Sequence, residues 1–218
     1  MNPIITIDGP SGVGKGSTSQ NLADYLGWPL LDSGAIYRTF AVFFQQECSQ
    51  GFSGLAEDLV ANFPIHFKAS KIYLSEQDVS ALIRTEEVAK MASELASDEA
   101  VRARLLQKQR DFATSQGLIA DGRDMGTVVF PEASLKIFLT ASAQERAHRR
   151  VKQLTEQNQP ADLAHILQLI EARDESDRNR AASPLKPASD AVTIDNSHLT
   201  INEVVSEILA LAKQRQLV

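Results

Sequence analysis

The apolar residues of this chain fall into short continuous runs, separated by longer segments with helical periodicity. A run that is apolar throughout, without alternation, is typical of a strand buried on both faces of a sheet. Such runs alternating with helices predict an α/β fold in which helices cover a parallel sheet. Most of the runs end in Asp or a small polar residue, as a site at the carboxyl edge of the sheet would require. The predicted strands are Ile4–Asp8, Pro29–Asp32, Leu118–Asp121, Leu135–Thr140 and Ala191–Asp195.

The segments between these runs carry helix start and stop signals. A helix is predicted from Lys15 to Leu26, with Gly27 as a left-handed C-cap. A second predicted helix covers 98–116, with apolar residues on one face and charged residues on the other. Two capping boxes predict helices that begin near 143 and 201: Ser142 with Glu145, and Thr200 with Glu203.

Two segments depart from this strand–helix alternation. Between 63 and 80, apolar and polar residues alternate, which predicts antiparallel strands. With helical patterns at 55–62 and 85–96, the segment from about 55 to 96 is predicted to be a small α/β insertion. The segment from about 146 to 182 gathers arginines on helical stretches with little apolar content in the turn between them, and it is predicted to be a mobile helical lid. The whole of 1–218 is otherwise expected to form one domain.

Composition narrows the class of protein. With 218 residues, 43% of them hydrophobic, the chain can bury one sizeable core, and a net charge of -6 argues against a general nucleic-acid or membrane binder. The one cysteine, Cys48, permits no intramolecular disulfide and is expected to be a small core residue. No apolar run approaches the ~20 residues that a membrane-spanning helix needs. We therefore expect a cytoplasmic protein, and a monomer by default.

A glycine-rich loop follows the first predicted strand and opens the first predicted helix, which is the context of a P-loop. Its glycines allow several backbone N–H groups to point at phosphates, and the helix N-terminus adds a partial positive charge. Lys15 is expected to reach the β and γ phosphates of ATP. A glycine after this lysine gives a variant typical of nucleotide kinases. The predicted ATP-binding residues here are Gly9, Pro10, Ser11, Gly12, Val13, Gly14, Lys15, Gly16 and Ser17.

A second group of charged residues follows the strand that begins at Leu118. Asp121, at the end of that strand, is positioned to hold Mg²⁺ together with Ser17, directly or through water. Arg123 and Asp124 then project over the edge of the sheet. The alternative is a polar turn with an internal ion pair, but a buried strand seldom ends in so many charges without a ligand.

Four motifs together give the chain its resemblance to a known family. The sequence resembles bacterial cytidylate kinases over essentially its whole length, on the residues of 9–17, 31–38, 119–131 and 173–180. The resemblance implies a P-loop kinase with a five-stranded parallel sheet of order 2-3-1-4-5, a CMP-binding insertion and a lid. It also implies transfer of a phosphoryl group from ATP, with Mg²⁺, to CMP or dCMP.

The same resemblance implies roles for individual residues, divided among the phosphates, the ribose and the base. The residues matched to the CMP phosphate are Ser33, Tyr37, Arg38, Arg123 and Arg180. Arg173 and Asp177 match the ribose contacts, and Ser93, Arg102 and Asp124 match the cytosine pocket. Arg149 is assigned to ATP, and the residues expected to act on the transferred group are Lys15, Arg123, Arg149, Arg173 and Arg180.

Other interpretations remain open at this point. Tyr37 could be a core aromatic residue, and the charges at 174–180 could belong to an exposed helix with internal salt bridges. The chain could instead phosphorylate another small acceptor such as UMP, AMP, dTMP or shikimate. A P-loop switch or a nucleotide-binding protein without catalysis is a third class. The Asn-Lys-x-Asp base-reading motif of such GTPases is absent from the sequence.

Overall fold

We describe a computed structural model of the chain over residues 2–49, 63–68, 71–113 and 116–218. The chain divides into two compact units, one formed by 1–31 with 112–218 and the other by 32–111. The helical pattern at 55–62 lies outside the described residues. In the described ranges, no helix is long and apolar enough to cross a membrane.

A five-stranded parallel sheet forms the centre of the first unit. Its strands, in chain order, are β1 (Ile4–Asp8), β2 (Leu30–Asp32), β6 (Leu118–Gly122), β7 (Leu135–Thr140) and β8 (Val192–Asp195). The spatial order β2-β6-β1-β7-β8 is 2-3-1-4-5 when only these strands are numbered, as the resemblance implied. Because Asp8 pairs with Gly122, the carboxyl ends of β1 and β6 meet at one edge of the sheet.

Within the described residues, four helices of the first unit cover this sheet; those that begin at Ala143 and Ile201 start where the capping boxes predicted, and the one from Lys15 to Leu26 has the predicted bounds. They are α1 (Lys15–Leu26), α5 (Ala143–Glu156), α6 (Leu163–Asn179) and α7 (Ile201–Gln214). Gly27 caps α1 with a left-handed φ of 65°, and the Thr200–Glu203 capping box opens α7. The core between sheet and helices includes buried aliphatic residues from both the strands and the helices: Ile5, Ile7, Leu22, Ile119, Ile137, Leu139, Val204 and Ile208.

The second unit combines helices with a small sheet. The strands β3 (Ile65–Lys68), β4 (Lys71–Leu74) and β5 (Gln77–Asp78) pair antiparallel, as the alternation predicted. The helices are α2 (Ser33–Ser49), α3 (Glu86–Leu95) and α4 (Glu99–Arg110), with a short 3₁₀ turn at Leu82–Arg84. An aromatic cluster lies in this unit, in which Phe63 contacts Phe40 and Phe43 at centroid distances of 5.3 and 5.5 Å.

Two local predictions are wrong. The helix predicted over 98–116 ends at Arg110, with Asp111 as C-cap, and residues 111–112 form a turn. Cys48 is exposed near the end of α2 rather than buried, since burial along this helix stops at Phe43 and residues 44–48 are half-buried or exposed. A single turn of π-helix at Met125–Val129, which begins three residues after the end of β6, was not predicted.

Candidate active site

The P-loop leaves the end of β1 and enters α1 through glycines in unusual backbone conformations. Gly12 and Gly14 have φ values of 75° and 91°, which favour glycine. At Gly9, a Cβ would overlap the carbonyl oxygen of Leu139, so no other residue fits there. The loop therefore lies tightly against the end of β7, with α1 beginning at Lys15.

Lys15 is buried and hydrogen-bonded within the loop. Its Nζ donates to the carbonyl oxygen of Pro10 at 2.8 Å, and the residue is 7% exposed. Burial, reinforced by the nearby positive charge of Arg123, lowers the pKa of the Lys15 ammonium group to about 7. An anion bound in the loop would favour the protonated form of this lysine, because an opposite charge raises its pKa.

A pair of side chains outside the motif holds the loop at Val13. The Nδ2 of Asn196, a buried residue just after β8, donates to the carbonyl oxygen of Val13 at 2.5 Å. Arg149 in turn donates to the carbonyl oxygen of Asn196 at 2.7 Å and contacts the Asn196 amide oxygen at 3.3 Å. Arg149, which the sequence assigned to ATP, thus lies one side chain away from the loop. Asn196 was not singled out from the sequence.

Arg146 forms a second attachment of the loop. Its guanidinium donates to the carbonyl oxygens of Ser11 and Ala141 at 3.0 and 3.2 Å. It also makes two hydrogen bonds to Asp174 of α6, at 3.0 and 2.5 Å, and both side chains are almost completely buried. The predicted lid segment therefore contains a buried ion pair that joins α5, α6 and the P-loop.

Three carboxylates, those of Asp8, Asp121 and Asp124, lie at this edge of the sheet or in the turn that follows it. A Cβ on Gly16 would lie 3.7 Å from an oxygen of Asp121, so the Asp121 carboxylate faces the first turn of α1. Asp124 is buried, and Asp8 is buried beside the turn that follows β6. Burial, with the nearby charge of Asp124 acting in the same direction, raises the pKa of the Asp8 carboxyl to about 6. From the sequence, Asp8 was predicted only as the last residue of a strand.

The donor set at this edge bears on metal binding. Among the described residues, no three His, Cys, Asp or Glu side chains lie close enough to hold a metal ion by themselves. Mg²⁺ is usually held by one or two carboxylates, water and substrate phosphates rather than by a protein cage. The Asp121 carboxylate and the exposed Ser17 hydroxyl on the same first turn fit an ion that arrives with a nucleotide.

Arginines collect around Asp177 at the end of α6. The Nε of Arg123 donates to Asp177 at 3.0 Å. Burial alone would raise the pKa of the Asp177 carboxyl, but the charges of Arg123, Arg180 and Arg173 lower it below its usual value. Arg180 also donates to the carbonyl oxygen of Ser183 at 2.8 Å. The structure thus brings together three of the arginines assigned to phosphate and ribose, around one carboxylate.

The remaining predicted CMP residues belong to the second unit. Ser33, the first residue of α2, donates its hydroxyl hydrogen to Oε1 of buried Gln109 at 2.6 Å. The guanidinium of Arg102 lies 5.7 Å from the centre of the Tyr37 ring. Arg38 and Ser93 are half-buried on α2 and α3. Gln109 was missed by sequence reasoning, because a glutamine within a charged helix carries no signal of burial.

Comparison with known proteins agrees with this arrangement. Residues 5–214 match the family model for cytidylate kinase. The cytidylate kinase of Saccharophagus degradans is 52% identical over 224 residues, covering 100% of each chain. That of Aeromonas hydrophila is 50% identical over 220 residues, covering 99% of this chain and 96% of the relative.

One solved structure supports the fold at low sequence identity. An uncharacterized protein from Eubacterium ventriosum is 10% identical and has a TM-score of 0.54, with 98% of this chain and 99% of that chain covered. That likeness concerns the fold alone. The family match and the full-length relatives near 50% identity carry the assignment: the chain belongs to the cytidylate kinase family.

Proposed function

We propose that this protein transfers the γ-phosphoryl group of ATP to CMP or dCMP, giving ADP and CDP or dCDP. Membership of the cytidylate kinase family supports the reaction. The observation that carries it is the cluster of cationic groups near the edge of the sheet. The charges of Arg123 and Arg173 both act on Lys15, and those of Arg123, Arg173 and Arg180 act on Asp177. Such a cluster is suited to two polyanionic nucleotides, whose phosphates would otherwise repel each other.

We propose that ATP binds along the P-loop, residues 9–17, with Arg149 as a further contact. The left-handed glycines and the start of α1 support this, because they leave backbone N–H groups available for phosphates. We propose that Ser17 and Asp121 hold Mg²⁺, directly or through water, where it would offset the charge of the phosphates. Lys15 and the arginines would stabilise charge on the transferred group.

For the acceptor, we propose contacts from residues of each unit, as the family resemblance implies. In the first unit, Arg123 and Arg180 would bind the phosphate, and Arg173 and Asp177 the ribose. Asp124 would accept a hydrogen bond from the N4 amine of cytosine. In the second unit, the proposed contacts are Ser33, Tyr37 and Arg38 with the phosphate, and Ser93 and Arg102 with the base.

Uracil has a carbonyl where cytosine has its amine, so it would face the Asp124 carboxylate without a donor. Leaving a buried polar group unpaired is costly, so we expect CMP to be preferred to UMP. We also propose that the protein acts as a monomer, in the cytoplasm, on small-molecule nucleotides rather than on nucleic acid or membranes. The net charge of -6 supports the exclusion of nucleic acid.

The test is an ADP-release assay with Mg²⁺–ATP and a panel of acceptors: CMP, dCMP, UMP, AMP, dTMP and none. Turnover on CMP and dCMP far above the others is expected. Lys15→Met should lower kcat by about 100-fold or more, since it removes a charge at the transferred group. Asp124→Asn should reduce the preference for CMP over UMP, whereas Glu132→Gln, an exposed carboxylate of the same unit, should not.

The other outcomes distinguish the alternatives. Turnover on a different monophosphate would be consistent with a nucleotide kinase. It would contradict the proposed cytosine contacts of Asp124, Ser93 and Arg102. ADP release that is independent of any acceptor would favour a nucleotide-hydrolysing switch. Size-exclusion chromatography with light scattering checks the monomer.

A further inference from the structure

The turn that follows β6 carries two of the residues assigned to the acceptor. It runs from Gly122 to Gly126 and contains Arg123 and Asp124. Its backbone is irregular, since Asp124 has φ −147° and ψ 25° and the following residues form a single π-helical turn. Within the π-helical turn, the N–H groups of Val128 and Val129 donate to the carbonyl oxygen of Asp124. The first N–H groups of a helical turn have no acceptor inside it, so neighbouring elements must supply one.

Asp8, the last residue of β1, supplies such acceptors with both of its carboxylate oxygens. One oxygen accepts the backbone N–H of Met125 and the other that of Gly126, each at 2.8 Å. The two donors follow Asp124 directly in the sequence. Asp8 is 5% exposed, and its Cα lies opposite that of Gly122 in the parallel pairing of β1 with β6.

The packing beneath the turn leaves little room for it to shift. A Cβ on Gly126 would lie 2.9 Å from the Thr6 hydroxyl oxygen and 3.2 Å from the Lys136 side chain. Thr6 and Asp8 are two residues apart on β1, so their side chains point to the same face of the sheet. The turn thus rests on Thr6 and is hydrogen-bonded by Asp8.

Burial and the charge of Asp124 both oppose ionisation of the Asp8 carboxyl, so a favourable charge interaction with Asp124 is not what this residue contributes. A buried carboxylate is costly unless it is hydrogen-bonded, and here the two backbone N–H groups of the turn are its principal hydrogen-bond donors. The two carboxylate oxygens, at the end of strand β1, hold two successive backbone N–H groups and so fix the position of the turn.

We infer that Asp8 is a positioning residue, whose carboxylate fixes the turn from Gly122 to Gly126 and thereby orients Arg123 and Asp124 for the acceptor nucleotide. This inference rests on the proposed function, in which Asp124 reads the cytosine amine. Asp8 also directly precedes Gly9, so the same residue joins the start of the P-loop to the turn. It contacts no substrate in this scheme and acts through the backbone of its neighbours.

The decisive measurement is the ratio of kcat/KM for CMP to kcat/KM for UMP, at saturating ATP, in Asp8→Asn and in wild type. The asparagine keeps the shape of the side chain but faces one backbone N–H with its own NH₂, so one hydrogen bond is lost. We expect the ratio to fall by about tenfold, the effect of losing roughly one hydrogen bond. A general loss of folded protein would lower both rates together and leave the ratio unchanged.

Thr6→Val is the matched control, because it alters the same strand and the same face while conserving shape. It should leave the ratio at the wild-type value. Where Asp8→Asn does not fold, Asp8→Ser serves as a second variant that is smaller, uncharged and able to accept one bond. An Asp8 variant with the same ratio as Thr6→Val would overturn the inference while the proposed function stands. A wild-type protein that does not prefer CMP would overturn the proposed base reading, and this inference with it.

Discussion

Removing one partner of the buried ion pair between Arg146 and Asp174 should strongly destabilise the first unit. The two side chains are 3% and 4% exposed and share two hydrogen bonds. In Asp174→Ala, the guanidinium would remain buried with only the carbonyl oxygens of Ser11 and Ala141 as acceptors. Removing one partner of a buried pair costs about 3–5 kcal/mol. Asp174 also lies 3.5 Å from Arg178, but that arginine is mostly exposed and adds little.

A loss of this size is a large fraction of the stability of an ordinary domain, which is about 5–15 kcal/mol. Urea denaturation followed by tryptophan fluorescence measures it. Trp28 is the one tryptophan of the chain and packs against the core of the first unit, so its emission reports on the unit that contains the pair. The midpoint should move to lower urea with an unchanged slope, since the area exposed on unfolding stays the same.

The matched control is Glu145→Gln on α5. Glu145 pairs with Arg149 at 3.3 Å, but these side chains are 36% and 31% exposed. An exposed i,i+4 pair contributes about 0.5 kcal/mol or less. In Arg146→Met with Asp174→Leu, both charges are removed, and we expect much of the lost stability to return. A cost below about 1 kcal/mol for Asp174→Ala, or simple additivity of the Arg146 and Asp174 single changes, would refute the reasoning.

Three further predictions concern the sheet edge. The pKa of Asp8 rises from 3.8 to about 6 on folding, so the folded protein binds the extra proton and loses stability as the pH rises from about 4 to about 6. In urea titrations, Asp8→Asn should lack this loss. The free energy of unfolding of the variant minus that of wild type should therefore increase by up to about 3 kcal/mol between pH 4 and pH 7. A difference in unfolding free energy that does not change with pH would contradict the raised pKa of Asp8. Gly126→Ala should lower stability by about 1–3 kcal/mol, because its Cβ would lie 2.9 Å from the Thr6 hydroxyl oxygen; an unchanged thermal midpoint would show that the turn can move. Asn196→Ala removes the donor to the Val13 carbonyl. It should raise the KM for ATP by about tenfold, with little effect on the KM for CMP. Equal changes in the two KM values would argue against a local effect on the P-loop.

The sequence predicted the central sheet because its strands are buried on both faces and read as continuous apolar runs. Ile4–Asp8 and Leu135–Thr140 agree with the structure residue for residue. Helix starts were equally accessible, since Ser142 and Thr200 cap through contacts within one turn. The end of α4 at Arg110 was not, because no glycine or proline marks it and the polar residues that follow are compatible with a helix.

In the candidate site too, the residues fixed by local sequence were predicted, and those fixed by long-range contacts were not. The P-loop could be predicted because its residues are contiguous and their spacing is set by the local backbone. Asp8 and Asn196 act on backbone groups 117 and 183 residues away, and no spacing rule connects them to those groups. Arg146 was grouped with the arginines of a mobile lid, since sequence cannot separate a buried arginine from an exposed one on a charged helix. Its burial follows from tertiary contact with Asp174.

The contacts that Asn196 and Arg146 make with the P-loop have a common cause in the geometry of that loop. A loop that directs its N–H groups at phosphates turns its carbonyl oxygens away from them, and buried carbonyls need donors. The donors here come from three side chains: Asn196 for Val13, Arg146 for Ser11, and Lys15 for Pro10. Arg146 and Asn196 are themselves hydrogen-bonded to Asp174 and Arg149, which fix these two donors beside the loop. Lys15 differs, because a phosphate is a stronger acceptor than a peptide carbonyl and would draw the ammonium group away from Pro10. Of the three, the lysine is therefore the donor that can move with the nucleotide, while the other two keep the loop in place.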